Sequence, residues 1–197
     1  MLTIRTLGHV SIELETGPLH FETRTVAALL IYLACQRQPV GREALAEFFW
    51  PERPPKQARS NLRVALYRLR QQLADYLLIT QSSVTLNPAA TITVDIVHFE
   101  RYLAEGNLSE GTERYTNDFL ADFYLDGSPA FEQWALLERE RLRTRVLSAY
   151  QQLIDRQAEA SQFAVATHAA QRLLQLDPLH EPTHRQLMRI LAQSGQR

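Results

Sequence analysis

One helical segment, residues 54–73 with the sequence PPKQARSNLRVALYRLRQQL, constrains the fold of this chain more than any other. Leucines recur in it at intervals of four, three and four residues, which places them on one side of a helix. These leucines are Leu62, Leu66, Leu69 and Leu73. The two prolines at the start suit a helix N-terminus, where a missing N–H costs nothing. Such a helix must bury its leucine stripe, so the surrounding sequence has to supply a core for it.

The other side of this helix is polar and strongly basic. Six cations and no acid lie between Arg53 and Ala74. Residues 1–94 hold ten cations against seven acids, whereas residues 95–197 hold eleven against fifteen. A positive surface on one half of a chain is the electrostatic footprint expected of a nucleic-acid-binding protein. A solvated amphipathic helix without such a partner is the alternative that this segment alone leaves open.

The residues around the basic helix predict a definite order of elements. Alternating apolar and polar residues predict strands, and capping residues followed by apolar periodicity predict helices. The predicted elements are two or three antiparallel strands within 2–22, helices beginning at Thr23 and Gly41, the basic helix, and a hairpin over 77–86. This order of strands, two helices, a basic third helix and a hairpin is that of a winged helix-turn-helix domain.

Helical patterns fill the second half of the chain. Asp95 is predicted to cap a first helix and Pro129 to start a long one, with further helices over 163–176 and 184–191. Alanines at crowded positions and a Leu-Asp-Pro stop are typical of tetratricopeptide repeats. The apolar residues of the last helix span more than half its circumference, so they cannot all face the preceding pair. We therefore expect either further domains of a longer chain or a homodimer that covers this helix.

Several segments resemble one family of regulators in order and spacing. LGHVSIEL, PVGREALAEFFWP and ARSNLRVALYRLRQQL resemble the OmpR-type winged helix, in the version found in the Streptomyces antibiotic regulatory protein family. VDIVHFERYL, WALLERERLR and QRLLQLDPLHEPTHRQLMRILAQSGQR resemble the bacterial transcriptional activator domain that follows it in that family. The resemblance implies a mainly α fold with a small antiparallel β component. It comprises a winged helix-turn-helix domain over 1–94 and a tetratricopeptide-like activator domain over 95–197.

The same resemblance implies a sequence-specific transcription regulator, an activator that reads the major groove of double-stranded DNA with helix 54–73. Its repeat domain would position RNA polymerase or a second protomer. The alternative is an interaction scaffold, in which the winged helix and the repeats bind protein partners. No apolar run approaches the length of a membrane span, so we expect a cytoplasmic location and no membrane partner.

The chemistry of individual residues indicates candidate DNA contacts. Arg63 can donate two hydrogen bonds to guanine O6 and N7, and Val64 or Tyr67 can contact a thymine methyl group. Arg24 and Arg42 stand at helix starts and suit phosphate contacts that fix the register. The complete predicted set is Arg24, Arg42, Lys56, Arg59, Ser60, Arg63, Val64, Tyr67 and Arg68. The hairpin has no cation from Thr80 to Thr85, which argues against minor-groove contact by the wing.

No constellation of residues predicts catalysis, a metal site or a cofactor. His180 and His184 have the spacing of two ligands on a helix, but Pro182 lies between them and no third ligand is apparent. Ser82-Ser83 lies in the hairpin and lacks the context of a nucleophile elbow. The seven glycines form no phosphate-binding loop. The sequence therefore predicts a binding protein rather than an enzyme.

Overall fold

The computed structural model describes residues 1–36 and 38–194, in which helices predominate over short strands. The strands are β1 (Leu2–Arg5), β2 (Ser11–Leu14), β3 (Gly17–Pro18), β4 (Val40–Gly41), β5 (Leu77–Ile79), β6 (Ser83–Leu86) and β7 (Ile92–Val94). The helices are α1 (Arg24–Cys35), α2 (Arg42–Phe49), α3 (Pro55–Leu73), α4 (Asp95–Ala104), α5 (Leu108–Arg114), α6 (Pro129–Glu159), α7 (Phe163–Leu176) and α8 (Glu181–Gln193). The predicted fold class is confirmed. Arg197, where the predicted second domain ends, lies outside the described residues.

The first sheet has the strand order β3-β2-β1-β7. β1 pairs antiparallel with β2, and β2 with β3, as the alternation over residues 2–22 predicts. β7 is not predicted, and it pairs parallel with β1, with Val94 opposite Ile4. A three-residue strand whose partner lies far earlier in the chain has no hairpin turn beside it to indicate the pairing.

The second sheet forms the wing. β5 and β6 pair antiparallel as the predicted hairpin, and the two residues of β4 pair with the other edge of β6. β4 ends at Gly41, and α2 begins at the next residue. The wing is therefore attached directly to the N-terminus of α2.

Helix α3 buries its predicted leucine stripe. Each of the four leucines, Leu62, Leu66, Leu69 and Leu73, is at most 3% exposed. Ala58 and Ala65 are also buried, and small side chains at these positions let α3 pack closely on α1 and α2. The predicted orientation of α3 is confirmed.

Contacts divide the chain into two compact units, and each unit is built from two separate stretches of the sequence. Residues 1–97 and 119–139 form the first unit, and residues 98–118 and 140–197 form the second. Helices α4 and α6 each contribute residues to both units. The division into domains over 1–94 and 95–197 stays a prediction.

Residues 119–139 complete the core of the first unit with aromatic side chains. Phe119 and Phe131 are fully buried. The ring centroid of Phe131 lies 5.9 Å from that of Phe49 in α2, and Trp134 lies 5.0 Å from Tyr32 in α1. Burial in this cluster raises the pKa of Tyr32 above its ordinary value. The first two helices of the winged helix therefore pack against a segment that follows it in the sequence.

The backbone of the same segment is held in place at Leu120. This buried residue has a φ of 51°, which is uncommon for a residue other than glycine. Its N–H donates to the carbonyl of Thr6 at 2.8 Å. The guanidinium of Arg139 donates to the carbonyls of Phe119 and Leu120 at 2.9 and 3.2 Å. These contacts offset the conformational cost, which is of order 1–3 kcal/mol.

Asp95 joins the start of α4 to the end of β1. The sequence predicts Asp95 as the residue that precedes this helix, whereas in the structure it is the first residue of α4. Its Oδ2 accepts the backbone N–H groups of Thr6 and Leu7 at 2.6 and 2.7 Å. Its Oδ1 accepts the hydroxyl of Thr6 and the N–H of Ile96, both at 2.8 Å. One carboxylate thus accepts hydrogen bonds from three backbone N–H groups.

Replacing Asp95 by Asn should lower the free energy of unfolding by about 2–3 kcal/mol, because the amide nitrogen cannot accept a hydrogen bond from the N–H groups it faces. Chemical denaturation followed by circular dichroism measures this loss. Asp126→Asn is the matched control, since Asp126 is exposed and makes no hydrogen bond within the described residues. Equal stabilities of the two variants would contradict the role assigned to Asp95.

In the second unit, arginines of α6 contact the neighbouring helices α4 and α7. Glu100 of α4 is 9% exposed, and its carboxylate lies 2.6 Å from Arg141 and 3.0 Å from Arg145. Arg143 donates to the carbonyl of Leu176 at 2.6 Å, which satisfies an acceptor at the end of α7. Since these arginines follow one another at every second position, α6 contacts α4 and α7 from different sides.

Helix α8 packs into the second unit with one side only. Thr183 and Ile190 are buried, whereas Met188 is 63% exposed. Gln151 of α6 donates to the side-chain oxygen of Gln186 at 2.5 Å, which fixes α8 against α6. The expectation that the apolar residues of α8 cannot all face the preceding helices is confirmed. Further domains and a homodimer that would cover Met188 stay predictions.

Candidate nucleic-acid interface

The outward side of α3 carries most of the predicted contacts. Six of the predicted residues on this helix are exposed, and Arg68 is half-buried. The six are Lys56, Arg59, Ser60, Arg63, Val64 and Tyr67. Val64 and Tyr67 are large apolar side chains, yet they are 49% and 63% exposed. Because the leucine stripe fixes the helix on its core, these side chains are held outward at defined positions.

Two predicted cations of α3 are paired with acids of neighbouring elements. Arg59 lies 3.4 Å from Glu43 in α2, and Arg68 lies 3.1 Å from Glu22, just before α1. Solvent reaches both pairs, so each contributes only about 0–1 kcal/mol. A phosphate can therefore replace either carboxylate at little cost.

Arg63 and Lys56 make no ion pair or side-chain hydrogen bond within the part of the chain that the structure describes. Arg63 lies beside Val64 and one helical turn before Tyr67. The hydroxyl of Tyr67 accepts a hydrogen bond from Gln71 at 2.8 Å, which leaves its own proton available to another acceptor. A guanidinium, a hydroxyl and a branched apolar group thus lie together on one turn.

Arg42 is bound to the wing. Its backbone N–H donates to the carbonyl of Ser82 at 2.8 Å, and its guanidinium donates to the carbonyl of Thr80 at 3.1 Å. The hydroxyl of Thr80 accepts the N–H of Ser83 at 2.9 Å, which closes the turn of the hairpin. The other guanidinium donors can still reach a phosphate. Nothing in the sequence indicates the contact between Arg42 and Thr80, because the two residues are far apart along the chain.

Arg24 stands at the first position of α1 and contacts an aromatic ring. Its guanidinium carbon lies 5.5 Å from the ring centroid of Phe123, a cation–π distance. Thr23 occupies the position before the helix, but its hydroxyl caps no N–H group of α1. The structure therefore places Arg24 beside residues 119–139 and not among the outward side chains of α3.

The histidines weighed as metal ligands have other contacts. His180 Nδ1 lies 2.8 Å from the hydroxyl of Thr183, and His184 Nε2 lies 2.8 Å from the carbonyl of Pro178. Residues 1–36 and 38–194 bring together no three side chains able to bind a metal ion. In the same residues, none of the helices has both the length and the apolar character to cross a bilayer.

The fold and the site define a winged-helix protein with a tetratricopeptide-like helical part. The chain belongs to the bacterial transcriptional activator domain family, whose model matches residues 94–197. This is a family of transcription regulators, and the match begins where the predicted winged helix ends.

A solved structure of Mycobacterium tuberculosis EmbR in complex with a low-affinity phosphopeptide has a similar fold. The TM-score is 0.71 and the sequence identity 20%, over 99% of this chain and 55% of the EmbR chain. At this identity the similarity concerns the fold, and the present chain spans about half the length of EmbR. No curated protein sequence matches this chain significantly.

Proposed function

We propose that this chain is a sequence-specific DNA-binding transcription regulator of the Streptomyces antibiotic regulatory protein type, with an OmpR-type winged helix, and that it activates transcription. The exposed turn of α3 that carries Arg63, Val64 and Tyr67 is the observation behind this proposal. A helix that reads bases must be packed firmly on a core and must present hydrogen-bond donors outward at fixed spacing. The activator-domain match over residues 94–197 supports the regulatory role.

In the proposed complex, contacts with phosphates provide the affinity and contacts with bases provide the sequence specificity. Lys56, Arg59 and Arg68 bind phosphates along the major groove, the two arginines by exchanging their exposed carboxylate partners. Arg63 donates to guanine, and Val64 contacts the methyl group of a neighbouring thymine. The uncharged wing follows the backbone without entering the minor groove. RNA polymerase and a second protomer are the partners proposed for the helical repeats, in the cytoplasm.

A gel shift with random-sequence duplex at several salt concentrations tests this proposal first. A nucleic-acid-binding surface with several phosphate contacts gives a binding constant that falls steeply as salt rises. Selection of bound duplexes from a random pool then tests sequence choice. The interaction scaffold, the alternative function, predicts no binding to duplex at any salt concentration and no enriched sequence.

Arg63→Ala should weaken binding to the selected sequence by about 1–3 kcal/mol and relax the preference at one base position. Fluorescence anisotropy with single-base variants of the selected duplex measures both effects. Arg185→Ala is the control, because it removes another exposed arginine, one that lies on α8 and pairs with Glu181. Equal losses on selected and random duplex would assign Arg63 to a phosphate and remove its base-reading role.

Arg42→Ala should weaken binding about equally on all sequences and reduce the slope of log K against log salt by roughly one. The reason is that Arg42 offers a phosphate the donors that Thr80 does not use. Titrations at four or more salt concentrations give the slope. Weaker binding with an unchanged slope would show that Arg42 acts only by holding the wing.

A further inference from the structure

The lining of one cavity in the first unit is drawn, within the described residues, from elements other than α3. This cavity has a volume of about 310 Å³ and opens between β2, the segment before α1, the first turns of α1 and the residues after Phe119. The apolar residues of its lining are Val10, Ile12, Leu19, Phe21, Ala27 and Phe123. This volume is at the lower end of the range for small-molecule sites.

The rim of this cavity offers positive charge and hydrogen-bond donors. Arg24 lies over the ring of Phe123 and has no carboxylate partner within the described residues. The exposed imidazole of His20 also lines the rim. The carboxylate in the lining, Asp122, is already used, since it contacts His9 and accepts the N–H of Val10 at 3.1 Å. The guanidinium of Arg24 is therefore the strongest unsatisfied group at the opening.

The start of α1 adds to this positive character. Thr23 and Arg24 both line the cavity, and no acidic residue lies in the first turn of α1. The hydroxyl of Thr23 caps no N–H group, so the partial positive charge of the helix N-terminus contributes to the rim. An apolar floor with aromatic rings beneath a cationic rim is complementary to a small amphipathic anion.

We propose that this cavity binds a small carboxylate with a compact apolar or aromatic body. The apolar body lies on Ala27, Phe21 and Phe123, and the carboxylate accepts hydrogen bonds from the guanidinium of Arg24. A DNA phosphate could use Arg24 but has no apolar body to fill the floor. The proposal is independent of DNA binding by α3 and is tested without DNA.

The wild-type chain, titrated with phenylacetate and with phenylacetamide, gives the first test. These probes have the same number of non-hydrogen atoms and the same ring, and only phenylacetate carries a charge. Backbone amide shifts in two-dimensional NMR spectra report the site and the affinity. We expect saturable shifts at Thr23, Ala27 and Phe123, with a Kd of about 1–10 mM for so small a ligand. Phenylacetamide should bind about fivefold more weakly, as loss of a solvent-exposed ion pair predicts.

Three variants complete the test. Arg24→Gln should weaken phenylacetate about fivefold and leave phenylacetamide unchanged, whereas Ala27→Leu should fill the floor and abolish saturable binding of both. Arg53→Gln is the control, since it removes an exposed arginine outside the cavity and should alter neither affinity. The proposal is overturned by equal wild-type affinities for the two probes. Equal effects of Arg24→Gln and Arg53→Gln, or shifts that Ala27→Leu does not remove, would overturn it too.

Discussion

A fragment of residues 1–97 is expected to be far less stable than a fragment of residues 1–139, although both contain every element of the predicted winged helix. The shorter fragment lacks residues 119–139, which belong to the first compact unit. Without them Leu7 loses its bridge to Phe119, and Phe49 and Tyr32 lose the rings of residues 131 and 134. The winged helix therefore exposes an apolar surface that the full chain covers.

The size of this effect follows from the side chains that become exposed. Leu7 and Phe49 are 3% and 1% exposed in the chain, and Tyr32 is half-buried. Exposure of each such side chain costs about 1.5–3 kcal/mol, so together they cost roughly 4.5–9 kcal/mol. That sum is comparable to the whole stability of an ordinary domain, about 5–15 kcal/mol.

Thermal unfolding followed by circular dichroism compares the two fragments directly. The longer fragment should melt cooperatively, and the shorter should melt at least about 20 °C lower, given a shift of roughly 4–8 °C for each kcal/mol in a domain of this size. Melting temperatures that agree closely would show that residues 119–139 only rest on a winged helix that is already stable.

Local patterns in the sequence were sufficient for most elements of the first unit. The stripe of Leu62 to Leu73 follows the helical period, so its burial could be predicted without any knowledge of what covers it. The wing hairpin and the strands over residues 2–18 join neighbours across short turns. β7 and residues 119–139 could not be predicted in the same way, because their partners lie far away along the chain.

The candidate site divides in a similar manner. That Arg63 and Tyr67 face outward follows from the period of α3. The partners of Arg59, Arg68 and Arg42 do not, because Glu43, Glu22 and Thr80 come close only in the folded chain. Five cations on α3 suggest a uniform positive surface. The structure instead separates cations such as Arg63, which has no ion pair within the described residues, from those that already contact another element.

This separation explains how α3 can contact its neighbouring elements and also bind the proposed duplex. Arg68 and Glu22 connect α3 to the segment before α1, and Arg59 and Glu43 connect it to α2. Exposed pairs of this kind contribute little to stability, about 0–1 kcal/mol each. Their value lies in holding long side chains near the positions where phosphates of the proposed duplex would lie. The entropy lost on binding is then smaller than for free arginines.

Leu66→Ala is expected to lower the free energy of unfolding by about 2–5 kcal/mol, the usual cost of removing a buried leucine side chain. Leu66 is 3% exposed and lies in the middle of the stripe, between Leu62 and Leu69. The cavity left behind lies between α3 and the helices it packs on, so neither side can close it fully. Since α3 also carries the proposed DNA contacts, the variant should lose duplex binding as its folded fraction falls.

Val64→Ala separates the structural effect from the contact effect. Val64 lies two residues before Leu66 on the outward side and is 49% exposed. Its truncation should change stability by no more than about 0.5 kcal/mol, as for most surface substitutions, while it removes the proposed contact with thymine. Urea unfolding and anisotropy on the selected duplex give both quantities for each variant. If Val64→Ala destabilised the chain as much as Leu66→Ala, or if Leu66→Ala left stability unchanged, the orientation assigned to α3 would be wrong, and the proposed DNA surface with it.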